Sequence, residues 1–418
     1  MATAVAIGSL FTMTAPAAQA APTFTPLYWF GPRVQGQVFG ALGLSGETLY
    51  CASLTAHGAV FQLTPPASGK GLWTPEILHL FNGNDGDSPA GALLVVPATT
   101  KTPETIFGTT EYDQGGTVFR LTAPANPAKP WALSTLHTFS EFTTPDRANP
   151  FSGVIADRLV PGRLLGVAPL GGPTSGGTVY ALTPPATAGG AWTETVLVKF
   201  KGTNGGEPVG PLIQDTDGTV YGTTRGGGKN TYGTVFQLSP PAGGTGPWKL
   251  TTLYNFAGQA DGGFPSSSLT FDSTRQHIFG VSSVTLTGYN GAVFRLTRPA
   301  AGSTRWAYAQ IHVFANDGID GSEASDDSAA PGVVADKAGN LYGVAVGGGQ
   351  GGLGNVFKLT KPATENGIWT ETILHAFNGK DGGAPFATLT LGPKGELYGT
   401  TTYGGPTGYR GGVFEVTP

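Results

Sequence analysis

The sequence predicts an all-β chain folded as a seven-bladed β-propeller of four-stranded blades, and three markers that keep one clock predict it. The string Gly-x-Val-Phe-x-Leu-Thr-x-Pro places an aromatic residue at Phe61, Phe119, Tyr180, Phe236, Phe294, Phe357 and Phe414, spaced 56 to 63 residues apart. Tryptophan keeps step at Trp73, Trp131, Trp192, Trp248, Trp306 and Trp369. An aromatic–Gly pair or its equivalent gives seven more marks, at Tyr50-Cys51, Phe107-Gly108, Leu165-Gly166, Tyr221-Gly222, Phe279-Gly280, Tyr342-Gly343 and Tyr398-Gly399. Such a unit is too long for a β-helix coil and somewhat longer than a kelch blade of about 50 residues. Radial repetition of short strands, with few exposed edges, is the architecture it fits.

Each unit holds four strand-like runs, and the last copy shows them best. Trp369–Phe377 alternates, with Trp369, Glu371, Ile373, His375 and Phe377 on one side. Ala387–Leu391, Glu396–Thr401 and Gly412–Thr417 follow, each short, rich in β-branched or aromatic residues and bounded by Gly, Pro, Asn or Asp. The run after the Asn/Asp-Gly loop is strand A, the Leu-Tyr-Gly run B, the Val-Phe run C and the Trp run D. No segment past residue 20 shows sustained helical periodicity with caps.

The ends of the chain bear on how the ring closes. Residues 1–20 are apolar and small and finish in Ala18-Gln19-Ala20, which reads as a signal peptide and its cleavage site, although no Lys or Arg precedes the apolar stretch. Residues 21–418 then form a single domain. The chain ends in a C strand, and the first D-like run is Thr23–Phe30. With A innermost, this N-terminal strand supplies the outer edge of the last blade, and Phe30 is expected beside Phe414.

Composition excludes several classes. The chain has 418 residues, a net charge of −4 and no basic run, which leaves no electrostatic footprint for nucleic acid. No apolar stretch approaches the roughly 18 residues that span a bilayer. Cys51 is the one cysteine, so there is neither a disulfide framework nor a thiolate metal cage. The 67 Gly and 33 Pro would suit disorder, but 10% aromatic residues supply the buried area of a packed core.

Tyr221-Gly-Thr-Thr-x-x-Gly-Gly followed by Gly233-Thr-Val-Phe-x-Leu, with Phe377-Asn-Gly-x-Asp-Gly-x-x-Pro385 between units, resembles the Gloeo/Verruco (GloVer) tandem repeat of exported bacterial proteins. The resemblance covers essentially residues 23–418. It implies an exported, propeller-like repeat protein of unassigned biochemical activity, and no catalytic residues come with it. Members often carry a C-terminal surface-sorting segment. This chain ends at Pro418 directly after its last strand, so secretion or periplasmic residence is expected.

With strands alternating in direction, the D-to-A and B-to-C loops emerge at one end of each blade. The first set offers Asn82, Asp85, Asn204, Glu207, Asp261, Asn378 and Asp381; the second offers Thr109, Thr110, Tyr112, Thr223, Thr224, Thr400, Thr401 and Tyr403. Hydroxyls, amides and carboxylates on one rim suit a hydroxyl-rich ligand. The same Asn-Gly and Asp-Gly pairs are also simply good turns. The opposite face carries the Thr-Pro-Pro turns and A-to-B turns such as Asp215–Gly218. The insertion Asp317, Asp320, Glu323, Asp326 and Asp327 packs hard oxygen ligands densely enough to hold Ca²⁺, but it departs from the EF-hand pattern and reads equally as a solvated acidic loop.

His79, His137, His312 and His375 each stand two residues before the Phe that ends strand D. Equivalent positions in different blades lie on a ring and cannot meet, so packing within each blade is expected rather than a zinc site. Cys51 reads as a buried, inert thiol and the six periodic tryptophans as blade-edge packing, with a sugar-stacking ring as the alternative.

The leading functional expectation is a monomeric, non-catalytic binding propeller that recognises an extracellular glycan or a surface protein through the Asn/Asp-Gly and Thr-Thr loops. Seven similar weak sites suit multivalent binding. One rival is a secreted polysaccharide lyase or glycoside hydrolase, drawing on Asp146, Arg147, Glu207 or the 317–327 insertion at the channel mouth. A structural envelope component is the other.

Overall fold

The computed structural model describes residues 21–31, 38, 40–54, 56–89, 91–111, 115–139, 150, 152–172, 176–187, 189–242, 246–258, 261–283, 291–300, 302–315, 331–349, 351–406 and 410–418. The leader-like segment 1–20, Asp146, Arg147 and the acidic insertion 317–327 lie outside the described residues.

Short apolar runs punctuated by Gly and Pro form seven antiparallel sheets of four strands each. Blade 1 runs outwards through Gly43–Ser45, Thr48–Ser53, Ala59–Thr64 and Thr74–Leu80. Blades 2 to 6 repeat that order, from Leu94–Val96 to Thr370–Ala376. A strands of neighbouring blades touch, which places them around the axis. Blade 7 takes three strands from the C-terminus and its outer strand, Thr23–Trp29, from the N-terminus. Thr23 faces Thr417 and Trp29 faces Gly412, so the two ends of the chain close the ring as the sequence predicts. Among the described residues there is no α-helix, and none long and apolar enough to cross a membrane.

The hydrophobic core is divided among the seams between blades. Seven buried clusters occur among the described residues, and each joins two neighbouring blades. At every seam the Phe that ends strand D packs against the strand C aromatic of the next blade. The pairs are Phe81–Phe119, Phe139–Tyr180, Phe200–Phe236, Phe256–Phe294, Phe314–Phe357, Phe377–Phe414 and, closing the ring, Phe30–Phe61, with ring centroids 5.1 to 5.6 Å apart. Phe30 therefore meets Phe61 of blade 1, and Phe24 rather than Phe30 lies beside Phe414. The reason is general: the terminal Phe of strand D points onward to the next blade. Each such contact adds about 0.5–1.5 kcal/mol to the burial of its rings.

Tryptophans seal the other end of the seams. Trp131 packs on Tyr50, Trp306 on Tyr221, Trp369 on Phe279 and Trp73 on Tyr398, each reaching the B strand of the preceding blade. The expected blade-edge packing is thus packing between blades.

Two glycine positions are explained by these contacts. The Gly of strand B lies beneath the strand C ring; a Cβ on Gly222 would stand 2.6 Å from Phe236 Cζ. Blade 1 has Cys51 there, opposite Phe61 in the ladder and fully buried, with burial pushing its thiol pKa well up. The Gly before strand C has positive φ, as at Gly58 (87°) and Gly233 (90°), and its carbonyl accepts the amide of the D-terminal Phe. That bond recurs at all seven blades, from Phe81 to Gly58 through Phe30 to Gly411, at 2.9 to 3.2 Å.

Strand D carries a feature the alternation does not reveal. Its register against strand C shifts in every blade at the same place, for instance between Val356 and Phe357, which leaves Leu374 as the extra residue of a β-bulge. Leu78, Leu136, Leu197, Leu253, Ile311 and Leu27 are its counterparts. The strict alternation expected for Trp369–Phe377 is therefore broken at Leu374, and the local twist turns the terminal Phe into the seam.

Replacing Gly222 with Ala is expected to destabilise the chain by about 1–3 kcal/mol, because the ring of Phe236 has to move. Gly31→Ala, where a Cβ meets nothing within 4 Å, is the control. Urea unfolding of both variants measures this, and equal midpoints would contradict it.

Candidate functional site

The loop-bearing face is built as predicted: D-to-A and B-to-C loops share one end of the ring and bond to each other. Ser88, Glu207, Phe264 and Ala384 sit at φ between 45° and 56°, each directly before a proline. That conformation is strained for an L-residue. It lets their amides donate to the carbonyls of His57, Gly176, Tyr232 and Leu353 in the B-to-C loop of the preceding blade. On the other side, Glu111, Arg225, Ser283 and Thr402 donate to Asp87, Glu207, Gly263 and Gly383. Each D-to-A loop thus staples two B-to-C loops across a seam.

The polar residues of this rim are largely engaged within it. Asp85 accepts from the Asn82 amide (2.9 Å), the Asn82 side chain (3.2 Å) and His79 Nε2 (2.9 Å). Asp381 repeats the set with Asn378 (2.9 and 2.8 Å) and His375 (3.1 Å). Asp261 accepts from the Ala257 amide at 2.8 Å and from the Tyr254 hydroxyl. Asn204 accepts from the Lys201 amide at 2.8 Å.

Thr109, Thr110, Thr223, Thr224, Thr400 and Thr401 are all buried. Thr110 pairs with Thr117 and Thr224 with Thr234 at 2.8 Å, and Thr401 accepts from the Gly412 amide at 3.0 Å. Thr223 donates to the Ser267 carbonyl of the next blade (3.4 Å) and Thr400 to that of Val38 (3.5 Å). Glu207 and Tyr403 are exposed on this rim, and Tyr112 lies outside the described residues.

The histidines stay apart, as the ring geometry requires. Each sits edge-on to the Phe two residues on, with centroids 4.5 to 5.0 Å apart, and meets a carboxylate: His79 Asp85, His375 Asp381, His137 Glu194 and His312 Glu371. Among the described residues no three metal-ligating side chains converge. The proposed calcium ligands Asp317, Asp320, Glu323, Asp326 and Asp327 lie outside those residues.

A cavity opens on the opposite face, at the mouth of the axial channel. It has a volume of about 530 Å³ and is walled by the A strands and A-to-B turns of blades 3 to 6. Ile155, Leu212, Ile213, Phe271 and Ala335 give it apolar walls, and Arg158, Arg275 and Lys337 give it donors, while the Gln214 amide is spent on Asp157 and the Gly218 carbonyl (both 3.0 Å). At the other end of the A strands the axis narrows. There Ser268 of blade 5 and Thr388 of blade 7 are 3.2 Å apart, and the Gly332 amide of blade 6 donates to Thr388 at 2.8 Å.

An asymmetry among the blades builds this cup. The residue after strand A is Asp157, Asp215, Asp272 and Asp336 in blades 3 to 6, but Gly46, Pro97 and Gly392 in the other three. Asp157 binds Arg163 at 2.5 Å and Gln214 at 3.0 Å, which joins blades 3 and 4. Asp215 binds Arg298 at 2.6 Å and Arg275 at 3.1 Å, which joins blades 4 and 5. Burial opposes the Asp215 charge, but the Thr216 amide and both arginines outweigh it and hold its pKa below the usual range. Arg275 itself lies at φ 57°, its guanidinium 4.8 Å from the Phe271 ring. The loop motifs do not mark this face, but four aspartates at one register, Asp157, Asp215, Asp272 and Asp336, are a signal readable in the sequence.

A groove of about 550 Å³ lies on the same face at the closing seam, lined by Trp73, Tyr398, Glu47, Glu396, Glu415, Lys70 and Lys394. Burial, reinforced by Glu396, raises the Glu415 pKa. Tyr398 is pushed up to about 12 by burial and the carboxylates of Glu415, Glu396 and Glu47.

The profile of the Gloeobacter/Verrucomicrobia repeat matches residues 105–327. Among curated proteins no sequence match was found. Of solved structures, the periplasmic gluconolactonase of Pseudomonas aeruginosa is similar at 13% identity, with 94% of its chain and 93% of this one covered and a TM-score of 0.51. A protein from Lactobacillus plantarum is similar at 14% identity, with 89% of its chain and 85% of this one covered and a TM-score of 0.50. These likenesses establish the propeller fold.

Burial lowers the His312 pKa to about 4. Its contribution to stability is complete above the unfolded value of about 6.5 and is lost as pH falls towards 4, because only the unfolded chain takes up the proton. Between pH 7 and pH 5 the loss amounts to about 2 kcal/mol. His312→Tyr, with the residue that blades 4 and 7 carry at the same register (Tyr254 and Tyr28), is expected to shrink the drop in Tm over that range. Identical drops in thermal melts would contradict this.

Proposed function

The chain belongs to the Gloeobacter/Verrucomicrobia repeat family, and on that premise we propose that it is an exported, secreted or periplasmic propeller that binds an extracellular glycan without turning it over. The cup at the channel mouth carries this reading. It combines apolar walls, the Phe271 ring and a donor set of Arg158, Arg275 and Lys337, contributed by blades 3, 5 and 6. Pockets of this size with a few convergent polar groups on mostly apolar walls suit small ligands or the end of a longer one. The wall is rigid, since Arg275 and Gln214 are tied into ion-pair and hydrogen-bond networks behind it. Pre-ordered donors lower the entropic cost of binding.

The loop rim serves this reading in a second way. Its backbone staples, with the Thr223 and Thr400 hydroxyls, hold the seams shut, which fixes the blades whose A strands shape the cup. Glu207 and Tyr403 remain exposed there as the rim's own candidates for contact.

One observation favours the catalytic alternative. In the groove at the closing seam, Glu415, with its raised pKa, faces Tyr398 across the ladder, and Glu396 lies two residues from Tyr398 on the same strand. A carboxyl with a raised pKa near a second carboxylate is the pairing glycoside hydrolysis uses.

The test is binding of the chain from Ala21 to a glycan array, followed by titration of the best ligand. Arg158→Ala together with Lys337→Ala, both exposed in the native structure, is expected to weaken binding about tenfold or more, as lost charge-assisted hydrogen bonds do. Tyr403→Ala is expected to leave it unchanged. Binding lost with Tyr403→Ala and kept in the cup variant would move the site to the loop rim, and release of reducing ends would establish the catalytic reading.

A further inference from the structure

Beside the cup, at the seam of blades 5 and 6, lies a smaller pocket of about 260 Å³. Asp272 lines both, and the A-to-B turn of blade 6 borders both, through Asp336 and Lys337 on one side and Gly339 on the other. The pocket is walled by His277, Phe279, Arg295, Lys361, Glu365 and Trp369. Its polar groups are unevenly matched. Arg295 is 9% exposed, yet among the described residues its guanidinium makes one hydrogen bond, from Nη1 to the Glu365 carbonyl at 2.9 Å. The Glu365 carboxylate is 59% exposed and stands 3.9 Å from Nη2, beyond hydrogen-bond distance.

Two buried donors in this wall have no acceptor among the described residues, Arg295 Nε and Trp369 Nε1, and Trp369 is 7% exposed. An unmatched buried donor costs about 1–3 kcal/mol, and a buried cation without a close partner costs more. The acids nearby do not relieve this. Asp272 spends its oxygens on the His277 amide (3.1 Å) and the Thr274 hydroxyl (2.5 Å). His277 is held towards its neutral form by burial and shares its Nδ1 with Thr297 at 3.1 Å. Lys361 stands exposed at the rim. At the register of Arg295 strand C carries Arg120 and Lys358 in blades 2 and 6 but Gln62, Ala181, Gln237 and Glu415 in the other four, so the seam itself does not require a cation.

We infer that this pocket is a carboxylate-binding subsite, in which Arg295 and Lys361 receive the acid group of a sugar whose neighbouring unit occupies the cup. The guanidinium offers a planar fork that matches a carboxylate, and the ligand replaces the distant Glu365 side chain as counter-ion. The inference rests on the glycan reading above and narrows it to acidic glycans, those carrying uronic acids.

The experiment pairs trigalacturonate with its methyl ester, which keeps the shape and removes the charge. Calorimetric titration of the chain from Ala21 is expected to show the acid binding about tenfold or more tightly than the ester. Arg295→Gln is expected to erase that preference. Lys361→Ala, at an exposed position that folding tolerates, is expected to reduce it. The Trp369 Nε1–H resonance, assigned with Trp369→Phe, is expected to shift with the acid alone.

Equal affinity for acid and ester, or an acid preference that survives both variants with an unmoved Trp369 resonance, would overturn the subsite and leave the glycan reading standing. Absence of binding to either trisaccharide, with an array response confined to neutral glycans, would also overturn the subsite. Absence of all glycan binding would overturn both.

Discussion

Every other property of this molecule depends on one contact, the aromatic pair that crosses each seam. A four-stranded blade cannot bury both its faces alone, so the blades are stable only against one another. The D-terminal Phe supplies the bond between neighbours, with its ring on the next blade and its amide on the carbonyl of a Gly in its own. The bulge in strand D aims that ring, and the Gly of strand B makes room for its partner. Because the core is divided among seven seams, opening any one exposes apolar surface on two blades.

The closing seam is the critical case. Its outer strand lies close in sequence to Phe61 but far from the rest of its own blade, so Leu27 and Phe30 meet Val413, and Thr23–Trp29 pairs with Gly412–Thr417, only after the whole ring has formed. Contacts so distant in sequence carry the loop-closure entropy of nearly the entire chain. The two faces then divide the work. Loops of one face tie blades together through backbone staples and satisfy their carboxylates within each loop, while the other face keeps exposed cations and open cavities.

The architecture was legible in the sequence because its determinants are local and repeated. Trp, the aromatic–Gly pair and Val-Phe mark the same positions in successive units, and the chain ends in strand C with a spare D strand at the start. The bulge was not legible, since a period of two runs through Trp369–Phe377 on paper and breaks only where Leu374 is left over in the ladder. Nor was the partner of Phe30, because register within a blade does not say which neighbouring blade a side chain enters. The site was the least legible part. Asn82, Asp85, Thr224 and Thr401 have the chemistry of sugar contacts and equally that of turns and cross-strand bonds, and only coordinates show the latter use. Arg295 carried no signal at all, because its significance lies in what the folded chain places around it.

The most direct test is a double-mutant cycle across the closing seam, with Phe30→Leu and Phe61→Leu measured singly and together by equilibrium unfolding. The account predicts a coupling of about 0.5–1.5 kcal/mol, matching that of the same cycle on Phe200 and Phe236 in an interior seam. Additive effects at the closing seam would contradict it, because that seam would then be held without its aromatic pair.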